Sequence, residues 1–200
     1  MRNAENIRQL VQLPIDYIGF IFYNKSSRYV GELIDLKTLA LVPDNIKKTG
    51  VFVNRAKEDV LKVSKDNGLQ AVQLHSDESP DFAAFLKAEG MEIIKAFRIG
   101  EDFDFGTIEK YLDCCDYFLF DTQTAQYGGS GIKFNWGILE KYPFDKPFFL
   151  SGGIGADDAD NISKIAHLPV YALDLNSKFE IEPGLKDISK LEHFIKQATK

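Results

Sequence analysis

The stretch Tyr117–Asp121, YFLFD, decides how the rest of the chain is read. Its apolar residues run on without polar alternation, the mark of a strand buried on both faces. A carboxylate closes the run, and the carboxyl ends of strands are where parallel α/β folds gather their ligand-binding groups. Similar runs recur on either side: Tyr17–Phe22 (YIGFIF), Gly50–Val53, Ala71–His75, Glu92–Phe97, Phe148–Ser151 and Val170–Leu175. Helical patterns fill the intervals. Asn3 caps the first, whose apolar residues are Ile7, Leu10 and Val11, and Pro14 ends it. Others lie at Glu32–Leu39, Lys57–Asp66 (stopped by Asn67-Gly68), Pro80–Glu89, Gly106–Leu112, Trp136–Lys141 and Asp157–Ala166. The last, Asp187–Gln197, carries Ile188, Leu191, Phe194 and Ile195 on one face.

Continuous apolar strands alternating with helices mean parallel pairing with both faces covered. Two α/β architectures satisfy this, an open doubly wound sheet and a closed (β/α)8 barrel. The chain offers seven strands, a number the open sheet accepts and one short of the barrel. No GxGxxG follows an early strand, which weakens a dinucleotide-binding reading. No linker divides the sequence, so residues 1–200 are expected to form a single domain.

Composition narrows the function. With 44% hydrophobic residues the chain has the material for a core. A net charge of −6 argues against a nucleic-acid partner, which needs a basic surface. No run approaches the roughly 20 apolar residues that span a bilayer, and no secretory signal is seen, so no membrane partner is expected. The two cysteines, Cys114 and Cys115, are adjacent and unsuited to bridging each other, which points to a reducing, cytoplasmic compartment. No Cys/His cluster has metal-ligand spacing.

The strand ends are chemically rich. Asp121 and His75 close two strands, and Asp174 lies inside the last. Ser151-Gly152-Gly153 follows one late strand and Asn176-Ser177 the next, positions at which such barrels bind phosphate through backbone N–H groups. Each has a bland reading. Asp121 could be a helix cap, His75 a packed structural residue, and Gly152-Gly153 a tight turn. The segment Tyr127-Gly128-Gly129-Ser130-Gly131 could be a lid or a connector, and Lys25 and Arg28 could be solvated charges. Their shared placement on one face of the fold favours function.

Seven ordered segments resemble phosphoribosylanthranilate isomerases over nearly the whole length. They are GFIFYNKSSRYV (19–30), GVFVN (50–54), VQLHSDES (72–79), IKAFR (94–98), LFDTQTAQYGGSGIKFNW (119–136), FLSGGI (149–154) and LDLNSKFEIEPGLKD (173–187). The resemblance implies a (β/α)8 TIM barrel lacking its first strand. It implies a cofactor-free Amadori rearrangement of the small-molecule substrate N-(5-phosphoribosyl)anthranilate to 1-(2-carboxyphenylamino)-1-deoxyribulose 5-phosphate. By position, Asp121 matches the general acid, a task that needs a carboxyl group protonated part of the time. Arg28 matches the arginine near the substrate carboxylate, Gly152, Gly153, Asn176 and Ser177 the phosphate turns, and His75 and Asp174 pocket-lining residues. Lys95 is a further inward candidate without an assigned role.

Three departures from the family pattern stand out. The family's general base is a cysteine in a KxCG motif on the first strand, immediately before the helix matching Asn3–Val11. That motif is not in the sequence, and Cys114 and Cys115 fall before a strand, at the opposite face. Impaired catalysis by the chain as given is therefore expected, as are two unpaired strand edges that invite self-association. Ser27 stands where proline is usual. Lys178 stands where glycine is common, either losing backbone freedom or adding charge to a phosphate. The competing readings are a non-catalytic phosphate-ligand-binding barrel and a different phosphosugar barrel enzyme.

Overall fold

The strands follow one another in sequence and in space as β1 (Tyr17–Ile21), β2 (Lys47–Phe52), β3 (Ala71–Leu74), β4 (Glu92–Ile99), β5 (Tyr117–Thr122), β6 (Phe148–Leu150) and β7 (Val170–Leu173). The computed structural model describes residues 1–123 and 133–198. Every neighbouring pair is parallel, so each return to the sheet requires a crossover. Helices α1 (Ala4–Leu10), α2 (Leu36–Leu39), α3 (Lys57–Asp66), α4 (Pro80–Ala88), α5 (Ala159–Lys164) and α6 (Ile188–Ala198) flank the strands, with tighter 3-10 turns at Phe105–Tyr111 and Trp136–Lys141. Local chemistry sets several starts. Asn3 accepts from the Asn6 N–H at 2.9 Å, and Ser79 caps α4 ahead of Pro80 in its first turn.

The pleat sorts strand residues into two layers. Ala71, Ile94, Ala96, Leu119 and Phe149 pack together inside the curl of the sheet. Their neighbours Val72, Ile93, Phe118, Phe120 and Phe148 pack outward in the larger sheet–helix core. Burial on both faces explains the unbroken apolar runs. The sheet bends round its inner layer into an incomplete barrel. The Tyr17 ring on β1 lies 5.1 Å from Phe149 on β6 and 6.4 Å from Tyr171 on β7, although β1 and β7 share no ladder. These rings, with Tyr117 stacked on Tyr171 at 4.3 Å, occupy the amino-terminal mouth beside the Lys47–Glu92 ion pair. On the outer edge of β1, the Gly19 carbonyl accepts from the Met1 amine and the Ile21 carbonyl from Val30 N–H. Among the described residues, no helix is long and apolar enough to cross a membrane.

Several boundaries differ from expectation. A small antiparallel hairpin, β8 (Glu180–Glu182) and β9 (Leu185–Lys186), lies where no strand was expected. It is short and polar, and so carries neither periodicity. Strand β7 stops at Leu173, which puts Asp174 just past the strand end and not inside it. The segments expected as helices near Gly106–Leu112 and Trp136–Lys141 are 3-10 turns, opened by Asp104 and Asn135, whose side chains accept from the N–H groups of Gly106 and Gly137. Residues Tyr127–Gly131, read as lid or connector, lie outside the described residues.

Lys95 is also placed differently from its expected inward position. Ile94 and Ala96 face the inner layer, so the strand alternation turns Lys95 outward, where it is 1% exposed. Its ammonium lies 3.2 Å from Glu78 Oε2 and donates to the carbonyls of Leu74, Ser76 and Ala96. Glu78 in turn accepts from the N–H groups of Asn54 (3.0 Å) and Ser76 (2.9 Å). Asn54 holds a positive φ of 48°, a conformation asparagine tolerates. Burial lowers the Lys95 pKa against the pull of Glu78. The pair thus ties the loops after β2 and β3 to the back of β4. Removing one partner of a buried pair strands the other charge. Lys95→Met is expected to cost about 3–5 kcal/mol in urea unfolding, and adding Glu78→Gln to recover part of it. A loss under about 1 kcal/mol, the scale of an exposed pair, would contradict this.

Candidate active site

At the carboxyl ends of the strands the inner positions change from apolar to polar, and they line one end of a cavity of about 400 Å³ that continues past Leu119 and Phe149 to Asp16 and Tyr17. His75 follows β3, Asp121 lies in β5, Ser151 follows β6 and Asp174 follows β7, and all four line the cavity. Arg28 enters from the segment after β1. Gly152, Gly153, Asn176 and Ser177 complete the wall. The structure therefore gathers Arg28, His75, Asp121, Asp174 and both candidate anion turns around one space. Lys95 is not in that wall, and Lys178 is exposed with its carbonyl accepting from Lys190. Lys25 is exposed and outside the wall.

Asp121 faces three groups. One carboxylate oxygen accepts from the Thr122 N–H at 2.8 Å, and the other stands 3.5 Å from His75 Nε2. The third neighbour is the Gly152 turn. A methyl group on Gly152 would collide with Thr122 and come within 3.1 Å of Asp121 Oδ1, and its φ of 90° is one that side-chain-bearing residues rarely adopt. Only glycine lets this backbone approach the carboxylate so closely. Gly153 continues the turn with a φ of 67°. Two glycines in this conformation expose backbone N–H groups, an arrangement suited to an anion.

Asp174 and Ser151 join the two candidate anion turns. The Ser151 hydroxyl donates to Asp174 Oδ2 at 2.8 Å. Screening from water in the cavity wall pushes the Asp174 carboxyl above its ordinary range, while the Ser151 hydrogen bond and Lys186 oppose the shift and Asp121 adds to it.

Sequence reading missed two members of the wall, Glu180 and Lys186. Both lie on the β8–β9 hairpin. The Glu180 carboxylate takes the Arg28 guanidinium side-on, with Nη2 at 2.6 Å and Nε at 2.8 Å from Oε2. Lys186 donates to the Leu175 carbonyl at 2.9 Å and to Asn176 Oδ1 at 3.0 Å. Both residues stand in the segment LDLNSKFEIEPGLKD, but a polar stretch read as loop gave no sign that it folds back over the cavity.

The cysteines lie elsewhere. Cys114 and Cys115 are buried in the sheet–helix core, their sulfurs 3.9 Å apart, and burial pushes the Cys115 thiol far above its ordinary pKa. Neither lines the cavity. Among the described residues, no group of three or more His, Cys, Asp or Glu could hold a metal ion.

A sequence model of the family described as N-(5'phosphoribosyl)anthranilate (PRA) isomerase matches residues 1–197. An N-(5'-phosphoribosyl)anthranilate isomerase from Parabacteroides distasonis is 45% identical over 199 residues, covering 98% of this chain and 90% of the relative. Among solved structures, phosphoribosyl anthranilate isomerase from Thermotoga maritima is similar with a TM-score of 0.85 and 31% identity, covering 100% of this chain and 95% of that one. A further isomerase structure, in complex with reduced 1-(o-carboxyphenylamino)-1-deoxyribulose 5-phosphate, is similar with a TM-score of 0.81 and 29% identity over 100% of this chain and 95% of that one.

The Asp174 environment has a measurable consequence. At low pH the carboxyl is neutral in folded and unfolded chains alike. Its raised folded pKa means that the folded state carries an unfavourable ion once pH passes that value, so its stability contribution is lost as pH rises. Asp174→Asn is expected to match the parent in urea midpoint near pH 3 and to exceed it near pH 7, since ordinary carboxyl pKa values lie at about 4. Parallel pH profiles for the two proteins would contradict the assignment.

Proposed function

The chain belongs to the N-(5'-phosphoribosyl)anthranilate isomerase family, and on that premise we propose how its cavity carries out the Amadori rearrangement. The family serves tryptophan biosynthesis as an aldose–ketose isomerase. Asp121 protonates the ribose ring oxygen, so that the ring opens to an iminium. The iminium is itself the electron sink for loss of the C2 proton, and an enolamine forms and tautomerises to the ketone. Arg28 binds the anthranilate carboxylate, for which a fork-shaped guanidinium is suited. The Gly152-Gly153 and Asn176-Ser177 turns hold the phosphate through backbone N–H groups. His75 and Asp174 line the space between. Proton removal from C2 falls to a base that Cys114 and Cys115 do not supply.

The observation that carries this reading is the shared wall of Asp121 and the Gly152 turn. Asp121 Oδ1 lies so near the Gly152 turn that a Cβ on Gly152 would come within 3.1 Å of it, which sets an acid beside a turn suited to an anion, as one sugar phosphate would need. Family membership favours this reading over a phosphate-binding barrel without chemistry. We further propose that residues 1–200 act as one domain and that the protein works in a reducing cytoplasm, consistent with its two free buried thiols.

Self-association through the outer edge of β7 is part of the same proposal, since the β1 edge already receives the Met1 amine and the Val30 N–H. Among the described residues β7 has a ladder partner on one side alone, and Tyr171, at the amino-terminal mouth beside that free edge, is 49% exposed. A Tyr171→Lys substitution is expected to lower the weight-average mass in sedimentation equilibrium. An unchanged mass would remove β7 from the contact.

The chemistry is tested by following loss of phosphoribosylanthranilate fluorescence. Asp121→Asn is expected to lower kcat by about 10²–10⁴-fold, the usual range for a general acid. Affinity for a reduced product analogue should stay within roughly threefold, because the amide keeps the shape of the wall. Turnover by Asp121→Asn at the parent rate would overturn the role of Asp121.

A further inference from the structure

We propose that Glu180, held by Lys186, is a positioning residue that orients the Arg28 guanidinium and so sets the preference for ligands bearing a ring carboxylate. This rests on the carboxylate-binding role of Arg28 proposed above. Both Glu180 oxygens engage one edge of the guanidinium. Nε lies 3.1 Å from Oε1 and 2.8 Å from Oε2, and Nη2 lies 2.6 Å from Oε2. The Nη1 hydrogens have no protein acceptor among the described residues, which leaves that edge for a ligand.

Glu180 is itself fixed from behind. Its side chain is 4% exposed, Oε1 accepts from the Gly184 N–H at 3.2 Å, and Lys186 Nζ stands 3.4 Å from the same oxygen. Gly184 is the hairpin corner, with a φ of 87°. Burial alone would raise the Glu180 carboxyl pKa, but Arg28, Lys186 and the Gly184 N–H together hold it below its ordinary value. Lys186 also reaches Asn176 Oδ1 and the Leu175 carbonyl. One hairpin therefore braces both the arginine and one anion turn. An arginine on a loop would otherwise have to be ordered when the ligand binds, and this arrangement orders it beforehand.

Electrostatics and positioning predict opposite results for Glu180→Gln. Removing a negative charge beside an anion site strengthens anion binding if charge alone matters. It weakens binding of the carboxylated ligand if the carboxylate of Glu180 orients Arg28. Dissociation constants would be measured by calorimetry for reduced 1-(o-carboxyphenylamino)-1-deoxyribulose 5-phosphate and for the same molecule without its ring carboxylate. The unsubstituted chain should prefer the first on the order of 10–100-fold, as for a charge-assisted contact. Glu180→Gln should reduce that preference to roughly threefold, leave the second ligand unchanged, and add nothing in an Arg28→Ala background. Should Glu180→Gln lose its cooperative unfolding, Glu180→Asp carries the same test, with a partial loss expected from a carboxylate drawn back by one methylene. Retention of the full preference, or a further loss in the Arg28→Ala background, would overturn the proposal. A chain that binds both ligands equally before any substitution would instead overturn the role of Arg28, and one that binds neither would overturn the functional reading itself.

Discussion

The parallel ladder from β1 to β7 is the constraint on which the rest depends. Because side chains alternate across each strand, the curl of the sheet sends every second residue inward and leaves its neighbours to the helices. The inner positions are modest in volume at Ala71, Ala96 and Ala172, and larger at Ile94, Leu119 and Phe149. Mixed sizes let the inner layer fill a tightening curve. Beyond that layer the same inner positions become His75, Asp121, Ser151 and Asp174, whose side chains converge because the strands beneath them do.

Buried charge then fixes what the ladder leaves loose. Behind the sheet, Lys95 and Glu78 tie together the loops after β2 and β3. On the cavity side, Arg28, Glu180 and Lys186 tie the segment after β1 to the turn after β7. Each charge comes with a partner, as burial demands, since an unpaired ion would cost more than the fold tolerates. The consequence is local rigidity where ligand-binding loops are ordinarily the softest parts of a fold. Asp121 and the Gly152 turn face each other across a short distance because β5 and β6 are neighbours in register, with Phe120 opposite Leu150.

Most of this was legible in the residues, for physical reasons. Strands buried on both faces announce themselves as apolar runs, and YFLFD placed Asp121 at a strand end without reference to any contact. The end of α3 at Asp66 followed from the Asn67-Gly68 stop. The failures share a cause. Lys95 sits one position from inward-facing Ile94, and strand register alone decides which of two adjacent side chains enters the barrel. Glu180 and Lys186 act through a hairpin whose sequence, EIEPGLK, carries little periodicity and is fixed by tertiary contacts. A buried ion pair between residues 152 positions apart in the chain, Arg28 and Glu180, leaves no local signature.

The central claim is that one cavity presents an acid, Asp121, opposite a phosphate cradle made from the turns after β6 and β7. A crystal structure of the chain with reduced 1-(o-carboxyphenylamino)-1-deoxyribulose 5-phosphate tests it most directly. The account places the phosphate on the backbone N–H groups of the Gly152-Gly153 and Asn176-Ser177 turns, with Asp121 beside the sugar portion of the ligand. A phosphate bound away from both turns, or a sugar out of reach of Asp121, would contradict it.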